Sequence, residues 1–232
     1  MRRVLVVVPA RDEEDELPGC LRALARANAR AAASGVPVTT VVTADRCRDR
    51  TADVARAFGA HVVETDAGAA GVARAAGFAA MLGDRCDVRD MWLATTDADS
   101  RVPARWLTRQ IAWAGDGWDA VAGTVRVRDW SGHPPGVREA FEARYDRRSD
   151  TKRHVHGANL GFSGAAYLEV GGFAAMAVGE DGALVEALKV AGRRVLHTDA
   201  LRVLTSARTD PRAPRGFGHD LLDLDGARPV RR

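Results

Sequence analysis

Short apolar runs alternate with segments of helical periodicity through the first hundred residues. Residues 4–8 form an unbroken apolar, mostly β-branched run that ends at Pro9, which is typical of a strand buried on both faces. The periodicity after this run predicts helices and further strands in alternation. The predicted helices cover residues 17–33, 49–58 and 71–82, and the predicted strands cover residues 38–43, 60–64 and 91–96. This alternation predicts an α/β fold, with a mostly parallel central sheet and helices on both faces.

The pattern is less regular beyond residue 100. Helices are predicted over residues 103–113, 137–148 and 181–191, strands over 119–127 and 194–198, and a strand or loop over 156–164. We expect one domain over residues 1–208, with halves at 1–100 and 101–208. The Pro- and Arg-rich tail at residues 209–232 is expected to be partly mobile.

Composition is that of a globular protein with a substantial core, since 46% of the 232 residues are hydrophobic and 28% are charged. No apolar run has the length of a transmembrane segment. The net charge is +3, and the basic residues are interleaved with acids, so the sequence does not predict a nucleic-acid surface. Nearly all cations are arginines, which suits phosphate recognition but equally fits a GC-rich genome. An odd count of three cysteines favours a reducing, cytoplasmic location.

Charged side chains follow three of the predicted strands. Arg11 and Glu13 follow the first strand, Asp45 follows the second, and Asp97 and Asp99 follow the fourth. Parallel strands share one carboxyl edge, where α/β sheets bind their ligands. We therefore expect these five side chains to lie near one another.

Asp97 and Asp99 are the strongest candidates for a metal site. In an extended segment their side chains point to the same side, and the small Ala98 leaves space between them. Two close carboxylates repel each other unless a cation lies between them, and oxygen ligands suit Mn²⁺ or Mg²⁺. The alternative is that Asp99 caps the following helix while Asp97 lies in a turn. The position beyond a buried strand favours the metal site.

Several motifs together resemble those of family 2 glycosyltransferases, which have the GT-A fold. They occur in the family's order and cover approximately residues 4–207. They are residues 6–14 (VVVPARDEE), 43–51 (TADRCRDRT), the Gly-rich and Arg-containing helix at 68–77, 96–99 (TDAD), 157–163 (GANLGFS), 171–173 (GGF) and 179–181 (GED).

This resemblance implies a donor site for a nucleotide-diphospho-sugar in the first half of the domain. The nucleoside would contact Pro9, Ala10, Arg11 and Glu13, and Asp45 would accept a hydrogen bond from the base. Arg74 would approach the diphosphate, although a solvated position on its helix is an equal alternative. The segment Asp97-Ala98-Asp99 would face the ribose and hold the metal.

The second half would then bind the acceptor. The resemblance assigns Asp181 as the general base, with Glu180 beside it, and places Asn159 on the acceptor side; a helix N-cap is the alternative for Asp181. Imidazole also binds Mn²⁺-type metals, which makes His197 a candidate ligand, ahead of His154 and His156. Arg208 would meet phosphate, and Trp118 and Trp130 are candidates for stacking on a sugar.

The implied activity is an inverting, metal-dependent transfer of a sugar to a hydroxyl of an acceptor whose class the sequence does not specify. Departures from the family pattern keep a catalytically weakened nucleotide-sugar-binding module open as an alternative. They are Asp12 before Glu13, Arg46-Cys47 after Asp45, and Ala75-Ala76 after Arg74. A nucleotidyltransferase is less favoured, because the loop at residues 9–14 contains neither glycine nor lysine, and a dinucleotide-binding enzyme would need the motif G-x-G-x-x-G there.

Overall fold

A computed structural model describes residues 1–83, 88–147 and 155–208 of the chain. Within these ranges, strands and helices alternate through the first half and become less regular in the second. In chain order they are β1 (Arg3–Ala10), α1 (Leu17–Ala33), β2 (Val38–Asp45), α2 (Thr51–Ala57), β3 (His61–Thr65), α3 (Ala70–Leu82), β4 (Met91–Thr95), α4 (Trp106–Gly115), β5 (Ala120–Val127), α5 (Val137–Arg147), β6 (Leu160–Ser163), α6 (Gly164–Glu169), α7 (Glu180–Val190) and β7 (Val195–Thr205).

The strands form one sheet in the order β3-β2-β1-β4-β6-β5-β7. Neighbouring strands are parallel, except that β6 runs antiparallel to both β4 and β5. The expected mostly parallel sheet is therefore confirmed. Because β6 is reversed, its first residue lies at the same edge as the last residues of β1, β2, β4, β5 and β7. This edge carries the site described below.

The sheet has a hydrophobic core on each face, which explains why its central strands have no polar alternation. On β1, Val4, Val6 and Val8 pack in the core that includes residues of α1 and α4, while Leu5 and Val7 pack in the core with α3, α6 and α7. All five side chains are at most 1% exposed. The two-sided burial also confirms the expected helices on both faces.

The last strand is longer than its sequence predicts. The sequence pattern predicts that this strand ends at residue 198, because the polar residues Thr198 and Asp199 interrupt the apolar run. In the structure β7 continues to Thr205. A register shift between Gly123 and Thr124 of β5 allows the pairing to resume beyond the interruption. The predicted tail at 209–232, together with Cys86 and His154, lies outside the described residues.

Among the helices in the described ranges, none combines the length and the apolar character needed to cross a bilayer.

Gly123 lies where β5, β7 and Asn159 meet. A Cβ atom at this position would be 2.2 Å from Nδ2 of Asn159 and 2.7 Å from the carbonyl oxygen of Leu201, which is backbone and cannot rotate away. We expect Gly123→Ala to lower the free energy of unfolding by about 1–3 kcal/mol through overpacking, measured by urea denaturation.

Gly115 at the end of α4 is the matched control, because a Cβ there would have no heavy atom within 4 Å. Gly115→Ala should leave the urea midpoint unchanged or raise it slightly. Equal midpoints for the two variants would show that the space around Gly123 is not as tight as described.

Candidate active site

The loops that follow β1 and β2 form one wall of the site. Asp12 and Arg46 both have left-handed backbone conformations, with φ of 51° and 53°, which is uncommon for residues other than glycine and is frequent near functional sites. The backbone N–H of Glu13 donates to Oγ1 of Thr51 at 2.7 Å. Glu13 is buried, whereas Arg11 is exposed to solvent.

Asp12, Cys47 and Asp49 lie close together in this wall, with one potential ligand atom of each within 4.8 Å of the others. The carboxylates of Asp12 and Asp49 hold the loop after β1 and the loop after β2 together. Asp12 accepts the N–H of Arg48 at 2.6 Å, while Asp49 accepts the N–H groups of Glu14 and Thr51 at 2.9 Å. These bonds account for the cluster as a loop-stabilising arrangement.

Asp45 is buried at the end of β2, as its position in the sequence suggested, but its partners are backbone groups. Its carboxylate accepts the N–H of Ala67 at 2.7 Å and that of Gly68 at 3.0 Å. Asp45 therefore fixes the loop that leads into α3. The sequence suggested a hydrogen bond to the base, and it contained no local signal for this contact with residues 67–68.

Arg74 of α3 is the central cation of the site. It is buried, which excludes the solvated position considered from the sequence. Its Nε donates to Oγ1 of Thr95 at 3.2 Å, its Nη2 donates to Asp97 at 2.6 Å, and its Nη1 pairs with Glu180. Burial opposes the charge of Arg74, but Asp97 and Glu180 outweigh it and raise the Arg74 pKa. The guanidinium thus connects the two halves of the domain.

Asp97 and Asp99 lie just beyond β4, with the buried Ala98 between them. Asp99 accepts hydrogen bonds from Ser100 Oγ at 3.3 Å and Thr205 Oγ1 at 3.4 Å. Burial is the main cause that raises the pKa of Asp99, and the negative charge of Asp97 raises it further. Repulsion by Asp97 therefore disfavours the ionised form of Asp99.

Arg208 partly offsets this repulsion. Its Nη2 donates to Glu13 at 2.7 Å and lies 3.3 Å from Oδ2 of Asp99. Burial acts to lower the pKa of Arg208, but the carboxylates of Glu13 and Asp99 outweigh it and raise that pKa. Arg208 follows the end of β7 and thus links β7 to the loops beyond β1 and β4.

Glu180 and Asp181 begin α7 directly after Gly179, whose φ of 83° requires glycine at the turn. Glu180 is buried and pairs with Arg74. Asp181 accepts the backbone N–H of Gly157 at 2.8 Å and that of Gly182 at 2.7 Å. Its carboxylate therefore has a fixed orientation.

Gly157 brings Asp181 next to Arg74. A Cβ at Gly157 would lie 2.3 Å from Nη2 of Arg74, so the glycine backbone packs directly on the guanidinium. Asp97, Arg74, Glu180 and Asp181 form one continuous cluster, which combines residues that the sequence assigned to the donor and to the acceptor.

Two residues in the predicted set lie in other surroundings. Asn159 is buried, accepts a hydrogen bond from Trp106 Nε1 at 2.9 Å, and donates to the carbonyls of Thr124 and Leu201 at 2.8 Å. These contacts give it a structural role. His197 lies within β7 opposite Ala122, which is level with Thr95 at the end of β4, but β6 and β5 lie between β7 and β4. The sequence predicted the end of this strand at residue 198 because the polar interruption concealed the rest of β7.

Sequence reasoning missed the contacts of Glu16 at the start of α1. Its carboxylate accepts from Arg101 at 2.5 Å and from Arg128 at 3.0 Å. Burial acts to raise the pKa of Glu16, but the two guanidinium groups outweigh it and lower that pKa. The partners are 85 and 112 residues away in sequence, so no local pattern indicated them.

Comparison with protein families gives one match, to the family described as Glycosyl transferase family 2, over residues 5–169. A search of curated proteins found no match to the sequence.

Solved structures resemble the chain throughout. TarS residues 1–349 from S. aureus in complex with UDP has a TM-score of 0.62 at 15% identity, with 90% of this chain and 61% of that chain covered. The mannosyltransferase PcManGT from Pyrobaculum calidifontis, in complex with GDP-Man and Mn²⁺, has a TM-score of 0.62 at 18% identity, with coverages of 94% and 59%. The chain thus spans only about 60% of the length of these two crystallised chains.

A third similar structure is glucosyl-3-phosphoglycerate synthase from Mycobacterium tuberculosis in complex with Mn²⁺, UDP and phosphoglyceric acid. Its TM-score is 0.60 at 18% identity, with 99% of this chain and 80% of that chain covered. At these levels of identity, the structural similarity establishes a shared fold.

Arg74 compensates two carboxylates, so its replacement by an apolar side chain should be costly. Arg74→Met leaves Asp97 and the buried Glu180 without their cation, and we expect a loss of about 3–5 kcal/mol in the free energy of unfolding. Urea denaturation measures this loss. The control is Arg56→Met, which removes exposed ion pairs to Asp53 and Glu64 and should leave the free energy of unfolding nearly unchanged. Similar losses for both variants would contradict the central role of Arg74.

The raised pKa of Asp99 predicts a pH dependence of stability. The folded protein binds a proton at Asp99 more tightly than the unfolded chain does. Ionisation of Asp99 therefore lowers the free energy of unfolding as the pH rises from the ordinary aspartate range through the raised pKa. Above the raised pKa this loss is complete.

Asp99→Asn removes this cost. We expect the variant to melt at a higher temperature than the parent protein near neutral pH, with the difference shrinking as the pH falls below the raised pKa. Calorimetric melting in metal-free buffer across this range measures it. A variant that is less stable than the parent at neutral pH would contradict the repulsion between the two carboxylates.

Proposed function

Because the chain belongs to glycosyl transferase family 2, we propose that it transfers a sugar from a nucleotide-diphospho-sugar to an acceptor hydroxyl, with inversion and with a divalent metal. The family match covers most of the chain and confirms the family and enzyme class predicted from the sequence, while the similar structures confirm the GT-A fold. The observation that carries the proposed chemistry is the cluster in which Arg74 joins Asp97 to Glu180, directly beside Asp181.

The nucleoside is assigned to the end of β1 and the loop after it, at Pro9, Ala10, Arg11 and Glu13. This assignment is supported by their place at the carboxyl edge of the sheet, where α/β folds bind their ligands. Asp45 would shape the pocket by holding residues 67–68 in place. The similar structures include complexes with UDP and with GDP-Man, so both bases are candidates for the donor of this chain.

Asp97 and Asp99 would hold Mn²⁺ or Mg²⁺. The donor set fits, because both residues offer carboxylate oxygens and the negative charge of Asp97 raises the pKa of Asp99, which an added cation would counteract. A bound metal would stabilise the charge that develops on the leaving diphosphate. Mn²⁺ is present in the mannosyltransferase and the synthase complexes. His197 is left out of this set because two strands, β6 and β5, separate its strand from β4.

The charged side chains around the metal site would share the work of binding the diphosphate. Arg208 contacts Asp99 and Glu13, and its guanidinium suits a phosphate oxygen as well as a carboxylate. Arg74 donates one N–H from each of its three nitrogens, to Thr95, Asp97 and Glu180, so we assign it to positioning the two carboxylates. Its positive charge would still attract the diphosphate.

Asp181 is assigned as the general base. Its two oxygens accept backbone N–H groups, and each retains a lone pair for a proton from the acceptor. As the acceptor oxygen attacks the anomeric carbon, its proton passes to Asp181 and the bond from that carbon to the diphosphate oxygen breaks on the opposite face. Glu180 is buried against Arg74, so it positions α7 without taking part in proton transfer.

Replacement of the base should separate binding from turnover. Asp181→Asn keeps the size of the side chain but removes its basic oxygen. We expect nucleotide binding to remain near the parent level, and donor turnover to fall by about 10²–10⁴-fold. Binding is measured from the thermal shift that UDP or GDP produces in the presence of Mn²⁺. Turnover is measured from the release of nucleotide from UDP- and GDP-sugars.

Glu186→Gln is the matched control, since Glu186 is an exposed acid on the same helix. It should change neither measurement. Parent-level turnover by Asp181→Asn would overturn the base assignment. If the parent protein binds nucleotide but releases no nucleotide from any of the nucleotide-sugars tested, a nucleotide-sugar-binding module without catalytic activity is the better description of the chain.

A further inference from the structure

A cavity lies between α5 and the last parts of β5 and β7. Its volume is about 450 Å³, which suits a small molecule. None of the side chains assigned to the donor, the metal or the base lines it. In the part of the chain that the structure describes, four arginines, two carboxylates and three aromatic rings line it.

The position of the cavity connects it to the proposed base. Tyr145 lines it, and the Tyr145 hydroxyl lies 3.2 Å from Nε2 of His156. The next residue, Gly157, donates its N–H to Asp181 at 2.8 Å. The cavity wall is thus separated from the carboxylate of Asp181 by two hydrogen-bonded contacts.

A second lining residue connects the cavity to the metal site. Leu204 lines the cavity, and the following residue, Thr205, contacts Ser100 Oγ at 3.1 Å and Asp99 at 3.4 Å. Arg128, another lining residue, pairs with Glu16 at the start of α1. The cavity is thus linked through Tyr145 to the segment that holds the proposed base, and through Leu204 to the residues around the proposed metal site.

The charges of the lining favour an anion. Arg138 pairs with Glu142 and Arg202 pairs with Asp199, whereas Arg126 has no ion-pair partner among the residues whose structure is described. Arg126 pairs with Leu204 across the strands, and Arg202 pairs with Thr124. The two guanidinium groups therefore leave the same face of the sheet, two positions apart on neighbouring strands. This pair suits forked recognition of a carboxylate or phosphate.

The aromatic residues supply an apolar wall. Trp130 and Phe141 have ring centroids 5.4 Å apart, and Phe141 and Tyr145 have theirs 5.3 Å apart, so the three rings form a continuous row. Trp130 was a candidate for stacking from the sequence, and here it borders a cavity. Trp118, the other candidate, is covered by the guanidinium of Arg194 at 4.5 Å.

We propose that this cavity binds the acceptor, and that the acceptor carries a carboxylate or phosphate group beside an apolar or flat part. That the bound molecule is the acceptor rests on the proposed glycosyl transfer, while the preference for a small anion rests on the residues that line the cavity. Arg126 and Arg202 would bind the anionic group, and the aromatic row would contact the remainder.

The test uses three probes with the same ring: phenyl phosphate, benzoate and the neutral benzyl alcohol. Calorimetric titration of the full chain should show at least one anion binding more tightly than benzyl alcohol. Binding of phenyl phosphate alone identifies phosphate as the recognised group, and binding of benzoate alone identifies carboxylate. Arg126→Gln and Arg202→Gln should each lower the affinity for that anion by about tenfold, as expected for loss of a charged hydrogen-bond donor.

Arg56→Gln is the matched control, because Arg56 is an exposed arginine on α2, next to the strand at the other end of the sheet. It should leave anion binding unchanged. The proposal is overturned if neither anion binds, if benzyl alcohol binds as tightly, or if Arg126→Gln and Arg202→Gln behave like the control. Displacement of the anion by saturating UDP or GDP would also overturn it, by locating the anion in the donor site.

Nucleotide binding separates this proposal from the proposed function. The two arginine variants should bind UDP or GDP with Mn²⁺ as the parent does. Anion binding without any nucleotide binding by the parent would refute glycosyl transfer and leave the anion cavity standing. Nucleotide binding and donor turnover without anion binding would refute the cavity proposal alone.

Discussion

The site depends on one buried cation. Arg74 lies between Asp97, which follows a strand of the first half, and Glu180, which begins a helix of the second. A guanidinium withdrawn from water needs compensating anions, and so do the carboxylates around it. Each partner therefore fixes the position of the others. This mutual requirement places the start of α7, with Asp181, beside the segment that follows β4.

A second cation balances the other side of the same segment. Arg208 lies against Glu13 and Asp99, so the carboxylates beyond β1 and β4 are partly neutralised without any ligand. The compensation is incomplete, because burial and the charge of Asp97 still raise the pKa of Asp99. A site with residual repulsion between carboxylates favours a further cation. Its electrostatics are thus consistent with the metal that we propose.

Reversal of one strand gives the second half its different character. Because β6 runs antiparallel to its neighbours, the segment that leads into it, including Gly157, lies at the same edge as the ends of β4 and β5. Asn159 holds this segment by bonding to Trp106 and to the carbonyls of Thr124 and Leu201. This segment contacts α5 through His156 and Tyr145, on the side of the site that we propose for the acceptor.

The sequence by itself determined the α/β class, the order of the first seven elements and the family. These follow from local periodicity and from motifs a few residues long, such as the apolar run before Pro9 and the spacing of Asp97 and Asp99. It also indicated which strand ends carry charge. Such features are readable because each depends on neighbours within a few positions along the chain.

Only the tertiary structure decided what these charges contact. From the sequence, a solvated helix position was an equal alternative for Arg74. The sequence could not indicate its burial, because its partner Glu180 is 106 residues away. Asn159 and Asp45 are bonded to groups that no local pattern connects to them, and polar residues concealed the continuation of β7 beyond His197. Ion pairs and buried hydrogen bonds depend on proximity in space, which the chain acquires only when its two halves pack around a shared sheet.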